Sequence, residues 1–180
     1  MSKALVMYFS KYGTTKKYAE WIAAELGGDV FDYKKVKSDI MQNYDIIVLG
    51  SGLYAGSIRG LGKIIDNYEK LKNKKLILFT CGLADYSKDE NKNSIFNRIV
   101  KIVPEDILKN IKIFYLRGGI NYGRLSFIHK TMMGFLAKAI SRRGEDRMSE
   151  EDREFMRTYG KTLDFTDKNT ISEILQYCRE

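Results

Sequence analysis

Five apolar runs of strand length recur along the chain, and they limit its fold more than any other feature. They are KALVMYF at 3–9, DVFDY at 29–33, YDIIVLGS at 44–51, KKLILFTCG at 74–82 and KIFYLRGG at 112–119. Three of them are nearly continuous in Val, Ile, Leu and Phe. A strand with one face in water alternates apolar and polar side chains, whereas a strand covered on both faces has no need to. Between the runs lie segments of helical periodicity. Ala19, Ile22, Ala23 and Leu26 follow an i, i+3, i+4, i+7 stripe that stops at Gly27–Gly28. Leu61, Ile64, Ile65 and Tyr68 repeat the spacing over 60–71, as do Ile95, Ile99 and Ile102 or Val103 ahead of Pro104. A further helix is predicted over 104–109. This alternation predicts an α/β doubly wound domain: a parallel sheet of five strands with helices on both faces.

The pattern changes after residue 119. RLSFIHKTMMGFLAKAISRR predicts a long helix over 126–141 with Leu125, Ile128, Met132, Leu136 and Ala139 on one stripe and Lys130, Lys138, Arg142 and Arg143 beside it. Met132, Met133, Phe135 and Leu136 are read first as core, with a membrane- or quinone-facing patch as the alternative. A charged stretch follows, with a short helix capped by Ser149 and a terminal helix over ISEILQYC. The expectation is one domain over 1–180 whose helical part, 124–180, is packed on the sheet or appended to it.

Composition narrows the chemistry. Two cysteines, Cys81 and Cys178, form no C-x-x-C pair and offer neither a disulfide framework nor a zinc site. His129 is the single histidine, so neither a Ser-His-Asp set nor a metal site is argued; a surface or packing role is expected of it. The absence of a secretory signal or of an 18-residue apolar stretch predicts a cytoplasmic protein. A net charge of +8 favours an acidic partner: anionic lipid, a carboxylated substrate or an acidic protein. Nucleic acid fits the charge but lacks a binding motif.

In an open parallel sheet, ligands settle beyond the carboxyl ends of the strands. The loops there read S10-K-Y-G-T-T15, G50-S-G-L-Y-A-G56, T80-C-G-L-A-D85 and R117-G-G-I-N-Y-G123. The first joins a buried strand to a helix N-terminus, where free N–H groups and the helix dipole favour an anion. Ser10, Thr14 and Thr15 add hydroxyls, and Gly13 permits close approach. The competing reading is a plain turn capped by Thr14. SIRGLGKI lacks the first glycine and the Ser/Thr of a Walker A loop, and G-x-G-x-x-G is absent after the first strand.

The S10-K-Y-G-T-T15 loop resembles the FMN phosphate loop of flavodoxins, [ST]-x-[ST]-G-x-T, matching at Ser10, Gly13 and Thr15 and departing at Tyr12. The resemblance spans roughly residues 3–120. It implies a flavodoxin-like fold with strand order 2-1-3-4-5 and FMN as cofactor. It also implies a phosphate loop of Ser10, Lys11, Tyr12, Gly13, Thr14 and Thr15. The ring would then lie between Ser51, Gly52, Leu53, Tyr54, Ala55 and Gly56 on one side and Cys81, Gly82, Leu83 and Ala84 on the other. GSGLYAGSIRG and RGGINYGRLSFIHKTMMGFLAKAIS are similar in layout to the menaquinone-dependent protoporphyrinogen oxidase branch of those proteins.

The function expected on these grounds is that of an FMN-dependent redox protein with the chemistry carried by the flavin. An oxidoreductase of the protoporphyrinogen-oxidase-like type comes first. A flavodoxin electron carrier is the alternative, and a non-enzymatic anion- or partner-binding module is the rival from another class. Asn121, Tyr122 and Arg124, with Arg117 beside them, are the residues expected to meet a carboxylated substrate; for Cys81 a buried structural role is expected. A redox partner protein or a quinone is the other partner considered. Residues 126–143 are the candidate contact with acidic membrane at the inner face.

Overall fold

The first strand sorts its side chains between two cores. The computed structural model describes residues 2–54 and 57–180. In β1 (Ala4–Phe9) the side chains of Leu5 and Met7 join one apolar cluster, while those of Ala4 and Val6 join the other. This is the two-residue period of a strand covered on both faces. Helix α1 (Thr14–Leu26) follows, ending at Gly27 in the left-handed conformation, and leads to β2 (Asp29–Asp32). Strand β3 (Ile46–Gly52) is buried along its whole length.

The helix expected over 60–71 is two pieces, α2 (Leu61–Ile65) and α3 (Tyr68–Leu71). The Asn67 amide donates to the Lys63 carbonyl at 2.8 Å and to Ser38 Oγ at 3.2 Å. This side chain thus competes for a carbonyl at the helix end, as Asn does in turns. Strand β4 (Lys75–Gly82), α4 (Asp89–Val100), the single turn α5 (Glu105–Leu108) and β5 (Ile111–Arg117) complete the alternation. All pairings are parallel and the order is β2-β1-β3-β4-β5, as the resemblance implied.

Beyond β5 the chain is not purely helical. β6 (Gly119–Asn121) pairs antiparallel with β7 (Thr162–Asp164), and this pair brackets α6 (Phe127–Ser141) and α7 (Glu150–Thr158). Ser149 and Asp152 form a reciprocal capping box at the start of α7. The last helix, α8 (Ser172–Arg179), buries Ile174, Leu175 and Cys178 against α1 and the sheet. The chain's final segment is therefore a packing layer. One sheet face is covered by α1 and α8, and the other by α2, α3, α4 and α5 with their loops.

Candidate functional site

The loop after β1 places a set of donors at the start of α1. Gly13 is the residue before the helix, with φ of 100°, a conformation that a Cβ would strain. No side chain caps this helix, so Thr14 is not the cap expected in the plain-turn reading. Its first-turn N–H groups are left available at the positive end of the dipole. The Ser10 hydroxyl accepts the Gly13 N–H at 3.0 Å and closes the loop. Thr15 is fully buried, and its Oγ1 has no hydrogen-bond partner. A buried hydroxyl left unpaired in a native fold calls for a partner that arrives from outside the chain.

The β3 loop sits beside this cradle. A Cβ at Gly52 would lie 2.7 Å from Tyr54 Cε2 and 2.9 Å from Thr15 Oγ1, so only glycine lets the strand end pass the threonine. The Lys11 N–H donates to Tyr54 Oη at 2.7 Å, and burial raises the Tyr54 pKa above its ordinary value. The Tyr54 ring packs edge-on between Phe9 and Tyr12. Ser51 is buried and accepts the Arg59 N–H at 2.9 Å, which holds the same loop. Ala55 and Gly56 lie outside the described residues.

The β4 and β5 loops supply the opposite wall. The Leu53 N–H donates to the Cys81 carbonyl, and the Gly118 N–H to the Gly82 carbonyl. Cys81 is buried, its thiol is pushed up to about 11 by desolvation, and its Sγ contacts Thr14 Oγ1 at 3.7 Å. These loops border a cavity of about 110 Å³. Tyr12, Thr14, Leu53, Tyr54, Cys81, Gly82 and Leu83 all face it. Ala84 lines an adjoining depression that also touches Ile95 of α4, Leu136 of α6 and Phe155 of α7.

The roof comes from α6, through His129, Met132 and Met133. The His129 side chain meets the cradle at two points, Nε2 with Lys11 Nζ at 2.8 Å and Nδ1 with the Tyr12 hydroxyl. An ammonium can only donate, so Nε2 is the acceptor and the ring proton sits on Nδ1, donating to Tyr12. Burial first, and then the Lys11 charge, hold His129 below its ordinary pKa. Tyr12, the residue that departs from the flavodoxin pattern, thus serves as cavity wall and latch.

Several expectations need correction. Asn121, Tyr122 and Arg124 do not line the cavity. Asn121 Oδ1 accepts the Arg124 N–H at 3.3 Å and the Thr162 hydroxyl at 3.4 Å, the Tyr122 ring packs on Tyr159, and Arg124 is exposed. The antiparallel β6–β7 pair sets Asn121 opposite Thr162, and the Tyr122 hydroxyl is buried without a partner. Arg117 is occupied as well: it pairs with Glu154, donates to the Leu83 carbonyl at 3.1 Å and covers Phe165. The core reading of α6 fails: Met132, Phe135 and Leu136 are exposed and Met133 is partly buried, while the buried residues of that helix are Ala137 and Ile140. His129 is more than a surface residue. Gly118, Gly119 and Ile120 of the fifth loop also line the cavity, as do Met132 and Met133 of the quinone-facing alternative; Leu125 and His129 join them without a signal in the sequence.

Known proteins can now be set beside this geometry. A model of the flavodoxin domain, Flavodoxin_5, matches residues 5–149. The chain belongs to this flavodoxin domain family. An uncharacterized protein of Methanocaldococcus jannaschii is 35% identical over 127 residues, which cover 66% of this flavodoxin-family chain and 85% of the relative. Among solved structures, a putative flavoprotein of Bacteroides eggerthii aligns at 21% identity with a TM-score of 0.45, covering 76% of this chain and 96% of that one. Two-electron reduced Megasphaera elsdenii flavodoxin aligns at 20% identity and 0.42, covering 62% and 82%.

The residues present fit FMN, the cofactor implied by the flavodoxin resemblance. The uncapped helix start and the unpaired Thr15 hydroxyl would meet a phosphate monoester, and the slot between Leu53–Tyr54 and Gly82–Leu83 a flat ring. Among the described residues, no group of three or more His, Cys, Asp or Glu side chains is placed to hold a metal ion.

Proposed function

We propose that this flavodoxin-family protein is an FMN-dependent oxidoreductase of the protoporphyrinogen-oxidase-like type, rather than a carrier of electrons between enzymes. The observation that supports it is the roof. A carrier works through a ring edge open to a partner protein, whereas here α6 covers the ring slot with His129, Met132 and Met133. The space continues beneath α6 into the apolar depression bounded by Ala84, Tyr86, Ile95 and Phe155. That gives a flat organic substrate, a quinone among them, room beside the ring.

When bound, FMN supplies the electron chemistry. The start of α1 and Thr15 would hold its phosphate, and Tyr54 with Leu53 would flank its ring. The roof excludes water, which strengthens each hydrogen bond made within the site. His129 keeps a proton on Nδ1 at the cavity edge, and the Cys81 thiol stays protonated near neutral pH.

Titration of the purified chain with FMN is expected to quench flavin fluorescence with a break at one equivalent. Mixing of the reduced, loaded protein with a soluble quinone is expected to reoxidise it faster than mixing with an electron-transfer protein. Failure to bind FMN would sink the whole reading and leave an anion- or partner-binding module. Rapid exchange with a protein acceptor and none with the quinone would make the chain a carrier.

A further inference from the structure

The outward face of α6 carries an apolar patch centred on Phe127, Ile128 and Phe135, which line neither the cavity nor the adjoining depression; Met132 and Leu136, at its border, do. Phe127 is 83% exposed, Ile128 75% and Phe135 71%, with Met132 and Leu136 beside them. At 100° per residue these five fall on one half of the helix, opposite the side formed by His129, Met133, Ala137 and Ile140. Contiguous bulky apolar side chains at such exposure mark an interaction surface.

Charge says what kind of surface meets it. From Arg117 to Arg143 the chain has six Lys and Arg and no Asp or Glu. Of these, Lys130, Lys138 and Arg142 lie on or just past α6 and have no ion-pair partner among the described residues. Arg117 and Arg143 are instead tied to Glu154 and Asp152. At the same spacing Lys138 and Arg142 fall among the apolar residues, between Phe127 and Phe135, where long side chains can keep their charge in the headgroup layer. Protein interfaces carry polar rims with hydrogen-bonding groups. A helix whose exposed half is hydrocarbon and aromatic, with basic residues as its only charges, is the pattern of an interfacial membrane helix.

We propose that α6 docks this protein on an anionic lipid bilayer, with Phe127, Ile128 and Phe135 entering the headgroup–acyl boundary and Lys138 and Arg142 meeting lipid phosphates. The same helix roofs the cavity, so docking sets the cavity about one helix diameter, roughly 10 Å, beneath the lipid surface. No helix among the described residues is long and apolar enough to cross the membrane.

The test is co-sedimentation of the full chain with phosphatidylcholine vesicles, with and without roughly one third phosphatidylglycerol. Anionic vesicles are expected to bind at least about tenfold more strongly, each basic side chain contributing about fivefold. Phe135→Ser should lower binding about tenfold without lowering thermal stability, because the side chain is in solvent. The double variant Lys138→Glu with Arg142→Glu should abolish the preference for anionic lipid. Equal binding to both vesicle types would overturn the proposal. So would a dimer in gel filtration that Phe135→Ser converts to monomer, since a second copy would then cover the face. Vesicle binding requires no flavin, so this result stands apart from that of the FMN titration.

Discussion

Thr15 separates a phosphate cradle from an ordinary turn. Its hydroxyl is buried without a partner, which is unfavourable in the free protein and useful only to a ligand. Thr15→Val keeps the shape and removes the unpaired group, so thermal stability should hold or rise. FMN affinity should fall roughly 10- to 100-fold, the worth of one hydrogen bond to a charged group, read by fluorescence quenching. A loss of stability with unchanged affinity would assign the hydroxyl to the fold. His129 gives a second prediction at this scale. Burial and Lys11 lower its pKa from the ordinary 6.5, so the unfolded chain takes up its proton at a higher pH than the folded one. The stability attached to the neutral ring is present above pH 6.5. It is lost progressively as pH falls from 6.5 toward the lowered value, where the Lys11 contact gives way to like-charge repulsion. Melting temperatures measured across that window should slope downward for the wild type and flatten in His129→Gln, there being no other histidine.

The elements differ in how plainly the sequence announces them. The strands of the sheet were legible because burial on both faces leaves runs such as IIVL and LILF that no half-exposed strand needs. The β6–β7 pair was not, because Gly119 meets Asp164 across 45 positions in strands of three residues, too short to show periodicity. Asn121, Tyr122 and Arg124 were read toward a substrate for that reason, since nothing local says they lie off the cavity. Helix α6 misled differently: it is apolar on both sides, so its periodicity could not tell the face under Phe127 from the face under Met133. At the other end, α8 was legible as a helix but not as a structural layer. Ile174 is fully buried between α8 and the core that α1 shares. Ile174→Ala should therefore cost about 2–5 kcal/mol in urea unfolding. A cost below about 1 kcal/mol, the scale of a surface change, would show the segment to be an appendage.

For the molecule as a whole, the site is assembled from parts that are far apart in sequence. The cradle and the two ring walls grow out of the sheet, because strand ends in a doubly wound fold gather their loops on one edge. The roof does not. Its latch joins Tyr12 to His129 across 117 positions, and the five-stranded sheet is hydrogen-bonded without it. On warming, the roof is expected to open before the sheet, which faster amide exchange in α6 than in β3 would show. Between those two openings lies a state with a complete sheet and an open cavity, the state through which a molecule as bulky as FMN can enter.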